Sequence, residues 1–149
     1  MNLSAGRTTS GPLSSDLAGA GKPGSHHRAA PNDAPRADLV GYSRVGPCVC
    51  VAGTTAASPD GPPVGGDDIG AQTRETIRRI GAALVGVGAQ LDQVVRTRLF
   101  VVDITRSEQV GVAHDEAFTH IRPAITMIQV DALIDPALLF EIEVDAVVL

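Results

Sequence analysis

The sequence is poor in aromatic residues and has no tryptophan. It contains three phenylalanines and one tyrosine, Tyr42, among 149 residues. Hydrophobic residues still make up 44% of the chain, so valine, isoleucine, leucine and alanine must fill most of the core. The length suits one domain and is too short for two domains of ordinary size.

The sequence also lacks clusters of basic residues. The net charge is -5, the single lysine is Lys22, and the arginines are dispersed along the chain. Because binding to nucleic acid needs clustered Lys and Arg to neutralise phosphates, this charge pattern disfavours a nucleic-acid partner.

Long apolar segments are missing as well. No apolar run approaches the roughly 20 residues that a membrane-spanning helix needs, and the N-terminus lacks the apolar segment of a secretory signal. We therefore expect no membrane association.

Cysteine is rare, and the two cysteines, Cys48 and Cys50, are separated by one residue. On a strand their Cα atoms would lie about 6.5–7 Å apart on one face, at the outer limit of disulfide geometry. A C-x-C pair also lacks the remaining ligands of a structural zinc site. The sequence thus predicts reduced, half-buried thiols, no metal or other cofactor, and a cytoplasmic location.

The chain divides into a tail and a domain. Residues 1–37 are rich in Ser, Gly, Ala and Pro, with almost no large apolar side chains. Such a segment cannot offset its ordering entropy by burial, so we expect a disordered N-terminal tail. The globular domain is expected to span residues 38–149.

Hydrophobic periodicity predicts the elements of this domain in the order strand, helix, strand, helix, strand, strand. The first helix carries an apolar stripe from Ile69 to Val87, with four charged residues on its solvated face. The second helix opens with a capping box formed by Thr105 and Glu108. The predicted strands are 48–56, 94–103, 124–130 and 140–148, and the charged residues of the first helix are Arg74, Glu75, Arg78 and Arg79.

Two helices can cover only one face of a sheet built from these strands. The other face is expected to carry Val, Ile and Met side chains, which would leave a sizeable apolar patch in water. The sequence therefore predicts self-association through the sheet.

Four motifs in order, "VAGTTA", "GAQTRETIRRIGAALVGVGAQLDQVVRTRLFVVDI", "AFTHIRPA" and "FEIEVDAVV", resemble the Rid proteins, the YjgF-type reactive intermediate deaminases. The resemblance runs from about Gly41 to the C-terminus. It implies an α+β fold of the chorismate-mutase-like (bacillus) type, with two helices on one face of a mixed sheet. It also implies a barrel-like homotrimer with a ligand cleft at each subunit interface.

The resemblance also implies a set of site residues. Archetypal members hydrolyse 2-imino acids or their enamine tautomers, with an arginine after "PA" that binds the substrate carboxylate and a glutamate on the last strand that orients water. Glu141 matches this glutamate, but Ile125 stands in the place of the arginine. Tyr42 and Gly53 match cleft positions, whereas the family's serine, cysteine and asparagine are replaced by Ala52, Met127 and Gly111.

Other candidate residues have two interpretations. Arg122 either enters the cleft as a replacement cation or caps the end of the second helix. His114, on the apolar stripe of that helix, is either a packing residue or a ligand contact. Thr54 and Thr126 offer hydroxyls to a neutral ligand, although threonine is common in strands. Glu141 shares its strand face with Glu143 and Asp145, which is typical of a solvated sheet face as well as of a site.

The function expected from these residues is a Rid-like homotrimer that binds or hydrolyses a small metabolite of the enamine or imine type. Archetypal 2-imino acid deamination is disfavoured because Ile125 cannot bind a carboxylate. A non-catalytic ligand-binding or chaperone-like trimer is the alternative. An endoribonuclease is a third interpretation, against which the acidic balance argues.

Overall fold

A computed structural model describes residues 27–29 and 40–149 of the chain. It contains six strands, two α-helices and two short 3-10 turns. The predicted disordered tail lies outside the described residues except at His27–Ala29, which form a strand instead. The elements are β1 (His27–Ala29), β2 (Tyr42–Val45), β3 (Cys48–Thr55), α1 (Ile69–Gly86), β4 (Val94–Val101), α2 (Ser107–Phe118), β5 (Ala124–Gln129) and β6 (Phe140–Val147).

The strands form one mixed sheet in the order β1-β2-β3-β6-β4-β5. All neighbouring pairs are antiparallel except β4 and β5, which are parallel and connected through α2. This arrangement is an α+β fold, as the sequence predicted. The last strand, β6, therefore lies at the centre of the sheet and β5 lies at its edge.

The core lies between the sheet and the helices, as the two-residue alternation of the strands requires. On β6 the buried side chains alternate with half-buried acidic ones. On β4 the two-residue alternation breaks at one end. Val94 is buried and Val95 is exposed, because the register with β6 shifts between Val94 and Arg96. A β-bulge of this kind changes which face a side chain occupies.

The two helices begin in different ways. The side chain of Asp68 accepts a hydrogen bond from the amide of Ala71 and caps α1. The predicted capping box of the second helix is wrong. Asp103 instead accepts a hydrogen bond from the amide of Thr105 and begins a 3-10 turn, and α2 starts only at Ser107.

The sheet face that the helices leave open is more polar than predicted. Met127 packs against the core, and the apolar side chains on the open face include Phe100 and Ile128. Charged residues of β4 and β6 occupy most of its centre, and both cysteines are free thiols that are exposed rather than half-buried.

Candidate functional site

Three acidic side chains on the open face of β6 differ in their partners. Glu143 accepts a hydrogen bond from Arg98 at 2.8 Å, and Asp145 accepts one from Arg96 at 2.8 Å. A second arginine contact, from Arg98, reaches Asp145 at 3.6 Å. Within the described part of the chain, the carboxylate of Glu141 has neither a hydrogen bond nor an ion pair. Of the three, Glu141 is therefore the carboxylate free to act on a ligand.

The surroundings of Glu141 favour its protonated form. Burial raises the pKa of the Glu141 carboxyl above its usual value, and the nearby charge of Glu143 raises the pKa further. Desolvation acts this way because a carboxylate loses hydration when it leaves water. A carboxyl with a raised pKa binds a proton more readily than one in water, which is a property of groups used in general acid–base catalysis.

Gly53 makes room for this carboxylate. The β3–β6 register shifts between Val51 and Thr54, so Gly53 lies in a bulge beside Glu141. A Cβ atom on Gly53 would lie 1.9 Å from Oε1 of Glu141, well inside contact distance. The glycine expected to approach a ligand is therefore in contact with the candidate catalytic residue itself.

Glu141, Gly53 and Thr54 line one cavity of about 710 Å³ at the end of the sheet, together with side chains of the loop after β3 and the segment before β6. Thr54 is buried and donates its hydroxyl hydrogen to the carbonyl of Ala52 at 2.9 Å. Its single O–H is thus bound to its own strand rather than directed at a ligand. The cavity wall is mixed, with Ile134 and Leu138 as apolar residues.

Tyr42 does not line this cavity. It pairs in register with Val51, whose side chain is buried, and Tyr42 itself packs against the core. It borders a separate groove with Arg44 and the C-terminal end of α1. The cavity is reached instead by the preceding residue, Gly41.

The predicted residues on β5 also lie away from Glu141 in the same chain. Ile125 pairs with Thr97 on the helix-covered side of the sheet, whereas Glu141 pairs with Phe100 on the open side. Thr126 and Met127 lie on the same edge strand, and β4 separates that strand from β6. One chain therefore does not bring the two halves of the predicted site together.

Arg122 lies in the turn between α2 and β5. Its main-chain amide donates to the carbonyl of Phe118 at 2.9 Å, which closes the end of the helix, and its side chain is exposed. Its φ of 47° is in the left-handed region, and the next residue is Pro123. A non-glycine residue held there is strained, and such strain is often found at functional turns.

His114 is part of the core. It is hydrogen-bonded to the Thr97 hydroxyl at 3.1 Å through Nε2 and lies against the ring of Phe118. Burial lowers the pKa of the imidazole below its usual value, so the ring is neutral at neutral pH. This arrangement gives His114 a packing role and separates it from the Glu141 cavity.

A family model for endoribonuclease L-PSP proteins matches residues 29–148 of the chain. The chain belongs to this family. This chain is 51% identical to Rv2704 of Mycobacterium tuberculosis, a member of the YjgF/YER057c/UK114 family, with 72% of this chain and 84% of that one covered and a TM-score of 0.65.

Two further proteins are similar to this chain. It is 33% identical to YyfA of Yersinia pestis, a Rid-family protein of unknown function, over 72% of this chain and 85% of that one, with a TM-score of 0.66. It is also 32% identical to the uncharacterized protein SCO2049 of Streptomyces coelicolor over 80% of this chain and 90% of that one.

Two residues that the sequence analysis did not propose as site residues contact the segments around the cavity. Gln72, fully buried on α1, donates to the carbonyls of Gly66 and Ala137 and accepts from the amide of Leu139. Arg79, predicted to be solvated, is nearly buried and lines the cavity. The only sequence signal for Arg79 is its spacing of four residues from Glu75.

The residues that the structure describes contain neither a metal site nor a membrane-spanning helix. Among residues 40–149, no three His, Cys, Asp or Glu side chains converge to hold a metal ion. No helix that the structure describes is long and apolar enough to cross a membrane.

Proposed function

We propose that this chain is a Rid-type hydrolase of a small imine or enamine, with Glu141 as the catalytic residue. The observation that carries the proposal is the state of Glu141: half-buried, without an arginine partner in the described residues, and lining a cavity large enough for a small metabolite. Ligand sites of this kind combine a mainly preformed cavity with a few polar groups.

The proposed reaction uses Glu141 to position and deprotonate water. The water oxygen forms a bond to the imine carbon as one water proton passes to the Glu141 carboxylate and the C=N π electrons move to the nitrogen. Glu141 then donates this proton to the nitrogen, which gives a neutral carbinolamine. In the second step Glu141 accepts the hydroxyl proton of the carbinolamine and donates it to the nitrogen as the C–N bond breaks and the C=O bond forms. The products are a carbonyl compound and an amine or ammonia, and the carboxylate is regenerated.

The substrate is proposed to lack the carboxylate of 2-imino acids. Ile125 occupies the position at which the Rid resemblance implies a carboxylate-binding arginine, and an isoleucine provides no charge or donor. This assigns the chain to a divergent subgroup. Arg122, Thr126 and Met127 are proposed to line the ligand cleft beside Ile125.

The cleft is proposed to form between subunits of a homotrimer. Glu141 and Ile125 belong to opposite faces of one sheet, so a second copy of the chain is needed to bring a β5 edge to a Glu141 cavity. The Rid resemblance implies three subunits with this geometry. Tyr42, which packs against the core in one chain, is proposed to reach the cleft only at its edge.

Replacing Glu141 by Gln tests the proposal, with Glu116→Gln on the helix side as the control. We expect Glu141→Gln to lower the hydrolysis rate of an uncharged imine by about 10²–10⁴-fold, because general acid–base catalysis contributes that much. Glu116→Gln removes an exposed ion pair with Arg74 and should change the rate by less than about threefold.

The measurement is the initial rate on uncharged imines and on 2-aminoacrylate, at equal oligomeric state. A rate on 2-aminoacrylate above that on every uncharged imine contradicts the proposed substrate class. Equal rates for Glu141→Gln and the parent protein contradict the catalytic role and favour the non-catalytic ligand-binding trimer.

A further inference from the structure

Arg79 is a nearly buried arginine that holds main-chain carbonyls. Its Nη1 donates to the carbonyl of Thr55 at 3.1 Å and to that of Ala57 at 2.7 Å. Its Nε donates to Oε1 of Glu75 at 2.7 Å, and the two side chains are only 13% and 14% exposed. A planar guanidinium with several donors in fixed directions holds such groups in one geometry.

Glu75 keeps the Arg79 side chain oriented. A hydrogen bond from Arg78 and another from Arg79 lower the pKa of Glu75 to about 2, although burial acts in the opposite direction. Glu75 is therefore charged throughout the neutral range. Arg78 is 68% exposed and, within the described residues, donates only to Glu75. The two adjacent arginines thus share one carboxylate, but Arg79 alone of the two bonds to the loop.

The two carbonyls held by Arg79 belong to the segment at the end of β3 that lines the Glu141 cavity. Thr55 pairs in register with Glu141 across β3 and β6. Ala57 begins the wall formed with Ser58 and Pro59. One guanidinium therefore links the strand position beside the candidate catalytic carboxylate to the wall that a ligand would touch.

We propose that Arg79 is the positioning and specificity-determining residue of this cavity, which rests on the proposed function of Glu141. Arg79 sets the separation between the Glu141 carboxylate and the loop wall, and thereby the size of ligand that fits. Its Nε and Nη1 face Glu75 and the two main-chain carbonyls. The cavity selects small ligands by shape.

The test compares Arg79→Ala and Arg79→Lys with the control Arg78→Ala. Hydrogen exchange reports on the loop, because the amide of Val64 donates to the carbonyl of Ala56 and that of Ala57 to the hydroxyl of Thr55. Loss of a charge-assisted hydrogen bond should speed exchange of these amides by about tenfold in both Arg79 variants. Lysine keeps the positive charge but cannot place several N–H donors in the fixed directions of a guanidinium. Arg78→Ala should exchange like the parent protein.

A second readout is the ratio of affinities for acetamide and benzamide, measured by calorimetry. The parent and Arg78→Ala should prefer acetamide, and both Arg79 variants should lose at least half of this preference. If Arg79→Ala does not fold, Arg79→Lys decides the outcome.

The inference is overturned if exchange is unchanged in the folded Arg79 variants, if the affinity ratio is unchanged, or if the parent protein binds neither amide. Neither hydrogen exchange nor the affinity for amides depends on catalysis. Failure of Glu141 as a catalyst, seen as equal rates in Glu141→Gln, is therefore distinguishable from failure of Arg79 as a positioning residue.

Discussion

The position of the Glu141 carboxylate depends on the absence of a side chain at Gly53. The strand register places them side by side, and any side chain on Gly53 would occupy the volume of the Glu141 carboxylate. The atom that clashes is the end of a flexible side chain, so Glu141 can rotate away. The constraint on Gly53 therefore concerns the position of a carboxylate more than the stability of the fold.

Gly53→Ala should accordingly separate activity from stability. We expect the free energy of unfolding to change by less than about 1 kcal/mol, because alanine also reduces the entropy of the unfolded chain. Activity should fall by about 10²-fold or more, as for loss of the general base. Urea unfolding and initial rates on an uncharged imine measure the two quantities.

Gly46→Ala is the matched control with the opposite expectation. Gly46 has a φ of 58° and no atom within 4 Å of an added Cβ, so alanine there is strained without touching the site. It should cost about 1 kcal/mol of stability and retain activity. Full activity in Gly53→Ala would show that Glu141 does not need its present position.

At the scale of elements, Gln72 connects three segments that the sequence separates widely. Its amide joins α1 to the loop before that helix and to residues 137–139, which lead into β6. The side chain is fully buried. Since β6 begins immediately after these contacts, Gln72 helps to fix where Glu141 enters the cavity.

Replacing Gln72 by Leu should destabilise the fold by about 2–4 kcal/mol, because the amide of Leu139 and two carbonyls lose their partner inside the protein. Gln109→Leu, an exposed position on α2, is the control and should change stability by less than about 0.5 kcal/mol. Urea unfolding measures both. If Gln72→Leu lowers the free energy of unfolding by less than about 1 kcal/mol, water replaces these contacts.

Local patterns predicted most elements but not the details at their ends. The apolar stripe beginning at Ile69 and the alternation from Phe140 onward each identified an element and its buried face. The bulge at Val95 and the cap at Asp103 escaped prediction, because pairing with a distant strand and competition between neighbouring capping residues decide them. β2 is not among the predicted strands, since its four residues are too short for a period to emerge.

At the scale of the whole molecule, the open sheet face is the surface through which we expect the chain to associate. Its centre holds the pairs of Arg96 with Asp145 and Arg98 with Glu143, flanked by Phe100 and Ile128. Satisfied ion pairs beside apolar groups are compatible with burial, because the charges already have partners. A contact through this face would also cover the edge strand that carries Ile125.

The protein is therefore expected to be a trimer with three times the 15.3 kDa mass of one chain. Light scattering at micromolar concentration measures this mass. Arg98→Ala should weaken the trimer, since Glu143 would be left without its partner in the contact. Arg74→Ala, which removes an exposed ion pair with Glu116 on the helix side, is the control and should leave the mass unchanged. A monomer of the parent protein would contradict the assembly.

Periodicity in the chain decides which side chains are buried, because alternation by two or by three to four residues follows from strand and helix geometry alone. It placed Glu141, Glu143 and Asp145 on one face but could not distinguish them, and the Rid resemblance singled out Glu141 without a physical reason. The tertiary structure shows a physical difference, because Glu143 and Asp145 have arginine partners and Glu141 has none among the described residues. The arginines that pair with the other two come from β4, 45 and 49 residues away, in a register set by a bulge. Which carboxylate stays free is thus a property of strand pairing, and no local sequence pattern encodes it.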